Sequence, residues 1–131
     1  MKILCVIDSL GSGGSQRQIV ELALGFKEKG HAVTFLTYHN LPFYNPVLLN
    51  EGIAIHCIEE SNYLLRILKM RRFIRKGHYK GVLAFLEGPC FISEFAGLPF
   101  KTWKLAISEG SANPAIYKSL KHILYRLFHV F

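Results

Sequence analysis

Short apolar runs alternate along the chain with stretches whose apolar residues recur every third or fourth position. That alternation is the pattern of a parallel sheet covered by helices on both faces. Runs near 2–8, 32–38, 53–58, 81–86 and 103–108 read as strands; stretches near 15–29, 62–76 and 114–131 read as helices, with a shorter helix near 90–97. In the first helix Ile19, Leu22, Ala23 and Phe26 share one face, Ser15 and Gln18 have the spacing of a capping box, and Gly30 follows Lys27-Glu28-Lys29 as a stop. The last helix opens at Asn113-Pro114 and carries Ile116, Leu120, Ile123, Leu124, Leu127, Phe128 and Phe131 on one stripe, which needs a large partner surface. Its pattern stops midway at Phe131, as in a chain cut from a longer one.

With 131 residues, 50% of them hydrophobic and 19% charged, the chain is expected to form one globular domain over residues 1–131. The expected fold is a three-layer α/β/α, Rossmann-like domain with a mainly parallel sheet. No internal repeat, low-complexity segment or interdomain linker interrupts it.

In such a sheet ligands bind beyond the carboxyl ends of the strands, where the strand order reverses. The first strand, ending Ile7-Asp8-Ser9-Leu10, runs into Gly11-Ser12-Gly13-Gly14-Ser15 and then into a helix. Glycines let backbone N–H groups approach an anion closely, and the helix dipole favours negative charge at that end. An ordinary strand-to-helix turn has the same local appearance. For a strand order 3-2-1-4-5, the turn faces Glu87-Gly88-Pro89-Cys90 after the fourth strand, with Ser108-Glu109-Gly110-Ser111-Ala112-Asn113-Pro114 beside them. The glycines do not fit G-x-G-x-x-G, no acid closes the second strand at Thr37-Tyr38-His39, and no Lys-Ser or Lys-Thr follows the turn. Nicotinamide and Walker-type nucleotide binding are therefore disfavoured.

A net charge of +7 points to an anionic partner. Residues 64–76 carry Arg66, Lys69, Arg71, Arg72, Arg75 and Lys76 with no acid among them, and Lys118, Lys121 and Arg126 add to the last helix. A basic amphipathic helix of this kind can lie on an anionic membrane; alternatively Leu64, Leu68 and Phe73 pack on the sheet and the charges form a solvated face. Zinc-finger, RNA-recognition and helix-turn-helix patterns are absent, so nucleic acid is not an expected partner. Cys5, Cys57 and Cys90 lie too far apart for a zinc or redox motif and are expected as reduced, mostly buried thiols. No secretory signal or spanning apolar stretch is present, so a cytoplasmic location is expected, with peripheral contact at the inner membrane surface if the basic helix docks there. His31 reads as part of the turn into the second strand and His56 as a strand residue.

The motifs also carry a family resemblance. Gly13-Gly14-Ser15-Gln16-Arg17-Gln18 resembles the Gly-Gly-Ala-Glu-Arg turn in the N-terminal domain of glycosyltransferase family 4, the retaining GT-B transferases. Lys29-Gly30-His31-Ala32-Val33-Thr34 is similar to that family's Gly-His-Glu-Val segment, and Leu105-Ala106-Ile107-Ser108-Glu109 to its fifth strand and the turn after it. The resemblance implies one half of a GT-B fold: an acceptor-side domain facing a second, donor-binding C-terminal domain that these residues do not contain. It implies donor-phosphate contacts from Gly13, Gly14 and Arg17, and it draws attention to Glu87, Ser108, Glu109 and His39 as acceptor-binding candidates at the strand ends. Both acids have an ordinary alternative as solvated loop or helix-start charges. Where relatives carry histidine or arginine after the fifth-strand acid, this chain has Gly110.

The family's Glu-x7-Glu acids belong to the second domain. Glu51 and Glu59 stand at that spacing but in the wrong context, in and beyond a helix-to-strand connection, so no catalytic residue is assigned. The implied reaction moves a sugar from a nucleotide-diphosphate donor to a hydroxyl acceptor, such as a lipid-linked or cell-surface glycan precursor, with this domain alone inactive. The nucleotide sugar is a substrate; no separate cofactor and no metal is expected. The alternative is a non-catalytic anion-binding or interaction module of the same fold.

Overall fold

The order in which the strands lie side by side decides where a site can form. The computed structural model of the protein describes residues 1–98 and 103–108. Its elements run β1 (Lys2–Val6), α1 (Gly14–Glu28), β2 (Ala32–Thr37), α2 (Asn45–Asn50), β3 (Ala54–Cys57), α3 (Tyr63–Lys76), β4 (Gly81–Phe85), α4 (Glu87–Ala96) and β5 (Lys104–Ser108). The five strands form one sheet in the order β3-β2-β1-β4-β5, and every pairing is parallel. This is the doubly wound arrangement expected from the alternation of runs. The expected helix near 114–131 and Glu109 lie outside the described residues.

β1 sits at the centre, with Ile3 beside Val33 on one flank and Gly81 on the other. Successive side chains of a strand point to opposite faces, so β1 feeds two cores. Ile3, Cys5 and Ile7 pack with Ile19, Leu22, Ala23 and Phe26 of α1 and Leu48 of α2. Leu4 and Val6 pack on the other face with Ile67, Met70 and Ile74 of α3 and Cys90, Ile92 and Ala96 of α4. The α1 stripe expected from the 3.6-residue period is therefore the buried one.

Three local details differ from the sequence expectation. α1 begins at Gly14 with Gly13 as its N-cap and no side-chain cap, so Ser15 lies inside the first turn and the Ser15–Gln18 capping box does not form. α4 starts at Glu87 rather than near 90, because Pro89 lacks only an N–H that the first helical turn does not use. The short α2, with Pro46 in its first turn, was not among the expected elements; six residues are too few to display a period. Gly30 is the expected stop: its φ of +92° lies in the left-handed region where only glycine is unstrained, and His31 N–H then donates back to the Phe26 carbonyl at 3.1 Å.

The cysteines are thiols, with Cys5 and Cys90 buried and Cys57 exposed, so burial holds for two of the three. Burial drives the Cys5 thiol strongly upward in pKa, and Cys90 Sγ donates to the Ala84 carbonyl at 3.4 Å. A thiol-specific chromogenic reagent at neutral pH is expected to modify Cys57 alone in the folded protein and all three cysteines after denaturation. Rapid reaction of a second thiol in the native state contradicts the packing of β1 or α4.

Candidate functional site

The switch point lies between β1 and β4, whose carboxyl ends open toward the glycine turn and toward α4. Asp8, just past β1, organises this edge. Its carboxylate accepts from Ser9 N–H at 2.6 Å and from Gln16 Nε2 at 3.0 Å, which ties the strand end to the first turn of α1. Its carbonyl accepts from both Tyr38 N–H at 3.1 Å and His39 N–H at 2.9 Å, which ties the same strand end to the loop after β2. One residue thus fixes two loops against each other.

Within the turn the first helical hydrogen bond runs from Arg17 N–H to the Gly13 carbonyl at 3.0 Å. The amides of residues 14–16 precede it, and the first turn carries no acid. Neither glycine needs its conformational freedom: Gly13 is extended, with φ of −71° and ψ of 166°. A Cβ built on Gly14 meets nothing within 4 Å, so no packing inside the domain demands glycine there. What glycine provides at this exposed position is bare backbone, the property an anion needs. Arg17 turns along the helix instead, its Nε 3.2 Å from Glu21 and its side chain 73% exposed.

Across the crevice, Leu86 holds φ of +76° and ψ of 158° as it leads from β4 into α4. A side chain at such a backbone costs on the order of 1–3 kcal/mol, and residues of this kind concentrate where a loop must be aimed. Gly88, in the first turn of α4, has a specific reason to lack a side chain, since a Cβ there comes within 2.8 Å of the Tyr38 hydroxyl. Tyr38 therefore bridges the end of β2 and the start of α4.

Beyond β2 and β3 lies a cavity of about 450 Å³ lined by Tyr38, His39, Asn40, Glu59, Glu60, Ser61 and Arg66. The Arg66 guanidinium lies 4.5 Å from the centroid of Tyr38 and 5.3 Å from that of Tyr63. Its Nε is buried and has no hydrogen-bond partner among the described residues. The Tyr38 hydroxyl is pushed up in pKa, mainly by burial and then by the Asp8 carboxylate, with Arg66 opposing. Glu60 is held below the usual carboxylate range by Lys69 Nζ at 2.6 Å and by Asn62 N–H at 3.2 Å.

Several sequence-derived candidates meet at this edge. Gly13 and Gly14 follow β1, His39 follows β2, Glu87 opens α4 after β4, and Ser108 ends β5 in register with Phe85 of β4. Glu109 lies outside the described residues. His39 lines the cavity, its ring edge-on to Tyr38 at 4.8 Å, whereas His56 packs against Phe73 at 4.8 Å and His31 edge-on to Phe26 at 6.2 Å. Asp8, Tyr38, Glu59, Glu60 and Arg66 were not among the candidates. Asp8 was visible as the acid ending an apolar run; Arg66 was hidden within a basic run, where only packing separates one arginine from the next.

The basic run itself divides. Arg71 Nη2 and Arg75 Nη1 donate to the carbonyls of Leu98, at 2.8 Å, and Ala96, at 3.0 Å, where α4 ends, while Lys69 pairs with Glu60. Cations at a helix C-terminus complement its dipole, so part of the charge holds α3 against α4. Phe73 packs on the sheet as one reading required, but Leu64 is 65% and Leu68 46% exposed. No helix among the described residues is long and apolar enough to cross a membrane, and no group of three or more His, Cys, Asp or Glu side chains among them is placed to hold a metal ion.

The Gly88–Tyr38 contact yields a double-mutant test. Gly88→Ala is expected to be better tolerated in a Tyr38→Phe background than in the parent, by about 0.5 kcal/mol or more in urea unfolding, because the phenol oxygen is the atom in the way and the helix propensity gained by alanine is the same in both. Additive effects of the two changes rule out the bridge.

No protein-family model matches the chain, and no curated protein matches it. Among solved structures it is similar to MurG of Acinetobacter baumannii, with a TM-score of 0.56 and 18% sequence identity. The match covers 91% of this chain but 39% of that one, so this chain spans about two fifths of the MurG structure. At that identity the likeness is one of fold: the chain has the Rossmann-like α/β architecture of a domain found in MurG, with a five-stranded parallel sheet in the order β3-β2-β1-β4-β5.

Proposed function

We propose that this chain is the acceptor-side domain of a GT-B glycosyltransferase. The observation that carries the reading is an exposed glycine turn, with its helix amides unpaired by any side-chain cap, standing at the switch point of a fold shared with MurG, itself a GT-B glycosyltransferase. The motifs in order along the chain favour family 4 within that class. In this role Gly13 and Gly14 offer backbone N–H groups to the diphosphate of a nucleotide sugar. Arg17 adds positive potential once it leaves Glu21. His39, Glu87, Ser108 and Glu109 flank the acceptor hydroxyl, and a second domain supplies the nucleotide pocket and the catalytic acids.

The same reading includes peripheral attachment at a cytoplasmic membrane face. Tyr63, Leu64, Leu65 and Leu68 are exposed on α3, and the cations Arg72 and Lys76 stand exposed on the same helix. Apolar side chains of this kind can enter an acyl boundary while lysine and arginine remain at the headgroups, each contributing about 1 kcal/mol near an anionic surface. A lipid-linked acceptor anchored beside α3 then presents its sugar to the strand ends.

Two measurements test these parts separately. Gly14→Val is expected to leave the melting temperature close to that of the parent, since its Cβ has open space, and to weaken binding of inorganic diphosphate, UDP or GDP about tenfold by calorimetry or amide shifts. Unchanged binding in a folded Gly14→Val protein removes the turn from the donor site. For the membrane, Leu64→Glu/Leu68→Glu is expected to cut sedimentation with phosphatidylglycerol vesicles about tenfold or more without unfolding the domain. Equal sedimentation of both proteins excludes α3 as the attachment face.

A further inference from the structure

Asp8 stands at the base of the glycine turn and takes part in neither ion pair found among the described residues. We propose that Gln16 is a positioning residue for the donor phosphates: by clamping the Asp8 carboxylate at the flank of α1, it keeps that carboxylate off the backbone amides of residues 14–16. This rests on the donor reading of the turn given above and adds to it what holds those amides open.

The difficulty Gln16 resolves is a carboxylate close to the positive end of a helix. Asp8 is half-buried, so water screens its charge only in part. It stands one glutamine side chain away from the first turn of α1, which has no side-chain cap and no acid of its own. A carboxylate is among the preferred caps of such amides and is drawn to the helix dipole as a phosphate is. Asp8 therefore has the chemistry of a competitor for the place a ligand phosphate takes. In the structure it is held elsewhere: one oxygen, Oδ1, accepts both from Ser9 N–H at 2.6 Å and from Gln16 Nε2 at 3.0 Å.

Gly13 shows what the clamp requires. Its backbone is extended, a conformation any residue adopts, so backbone geometry does not call for glycine. Space does: a Cβ at Gly13 would overlap Gln16 Oε1 and lie 3.2 Å from Gln16 Cδ, whereas a Cβ at Gly14 meets nothing within 4 Å. The Gln16 amide thus lies across Gly13 on its way to Asp8. The two glycines have separate roles, Gly13 making room for the clamp and Gly14 leaving its own amide bare. The residue type at position 16 follows from the same contact. Glutamine donates to a carboxylate, while an ionised glutamate there would offer no donor and would set a second negative charge beside Asp8.

The experiment titrates uniformly 15N-labelled protein with inorganic diphosphate at one pH and ionic strength, reading the amides of residues 13–16, in the parent, Gln16→Ala, Asp8→Asn and Asp8→Asn/Gln16→Ala. Melting temperatures and the amide spectrum of the rest of the domain report that each variant is folded. Gln16→Ala is expected to weaken diphosphate about fivefold, because the freed carboxylate competes for the amides. The gain in affinity from Asp8→Asn is then expected to be about fivefold larger in the Gln16→Ala background than in the parent, because only there is a competitor removed as well as a charge. Gly13→Ala reaches the same clamp without deleting any of its atoms; it is expected to match Gln16→Ala and to weaken binding no further when the two are combined. Gln16→Ala that binds as tightly as the parent overturns the proposal, and so does an equal gain from Asp8→Asn in both backgrounds, which is the result for a glutamine that only stabilises the turn. Either leaves the donor reading standing. A parent protein whose residues 13–16 do not respond to saturating diphosphate refutes the donor reading itself, and the role of Gln16 falls with it.

Discussion

Everything in this domain depends on β1 being buried on all sides. Ile3, Leu4, Cys5, Val6 and Ile7 have no exposed surface, so the backbone of this segment must find its hydrogen bonds in the sheet. Two parallel neighbours, β2 and β4, supply them. A parallel neighbour can be reached only by a crossover, which requires helices on the sheet faces and places every strand's carboxyl end on the same edge. The order then reverses beside β1, and two loops part at that point to leave a crevice. The location of the crevice is thus a consequence of how the most apolar strand is satisfied.

The same edge is held together by few groups. Asp8 accepts four hydrogen bonds from three segments, through its carboxylate and its carbonyl, and so couples the glycine turn to the loop that carries Tyr38 and His39. Tyr38 reaches onward to α4, where Gly88 leaves space for its hydroxyl, and supports Arg66 with its ring. Backbone groups dominate at the turn and side chains in the cavity.

The basic helix α3 shows how one run of residues serves separate ends. Arg71 and Arg75 close the carbonyl end of α4, Lys69 is paired, and Arg66 faces the cavity, while the leucines near the start of the helix remain in solvent. Charge counting treats all these cations alike. Their differences arise from where the helix lies: residues three and four apart share a face, and one face meets α4 while another meets the strand ends.

Legibility followed the range of the forces involved. The five strands, the longer helices through residue 98, the Gly30 stop and the glycine turn were readable because local periodicity and backbone conformation act within a few residues. The Ser15–Gln18 box failed, and α2 escaped notice, where one turn of helix carries too little local signal. Gly13, Gly14, His39 and Glu87 were found as strand-end residues, yet Arg17 turned out to be paired with Glu21, a choice settled by rotamer and neighbour. The cavity itself was invisible, because its walls come from positions 38–40, 59–61 and 66, and nothing local marks their convergence. The sequence by itself determined the α/β class, the central strand and the bare-backbone turn, since burial and chain stiffness operate along the chain. Only the tertiary structure decided that Asp8 would join two loops, that the Tyr38 hydroxyl would lie beside Gly88, and that Arg66 would stack on the Tyr38 ring beside residues 39–40 and 59–61, since those relations exist only after distant segments have been brought together.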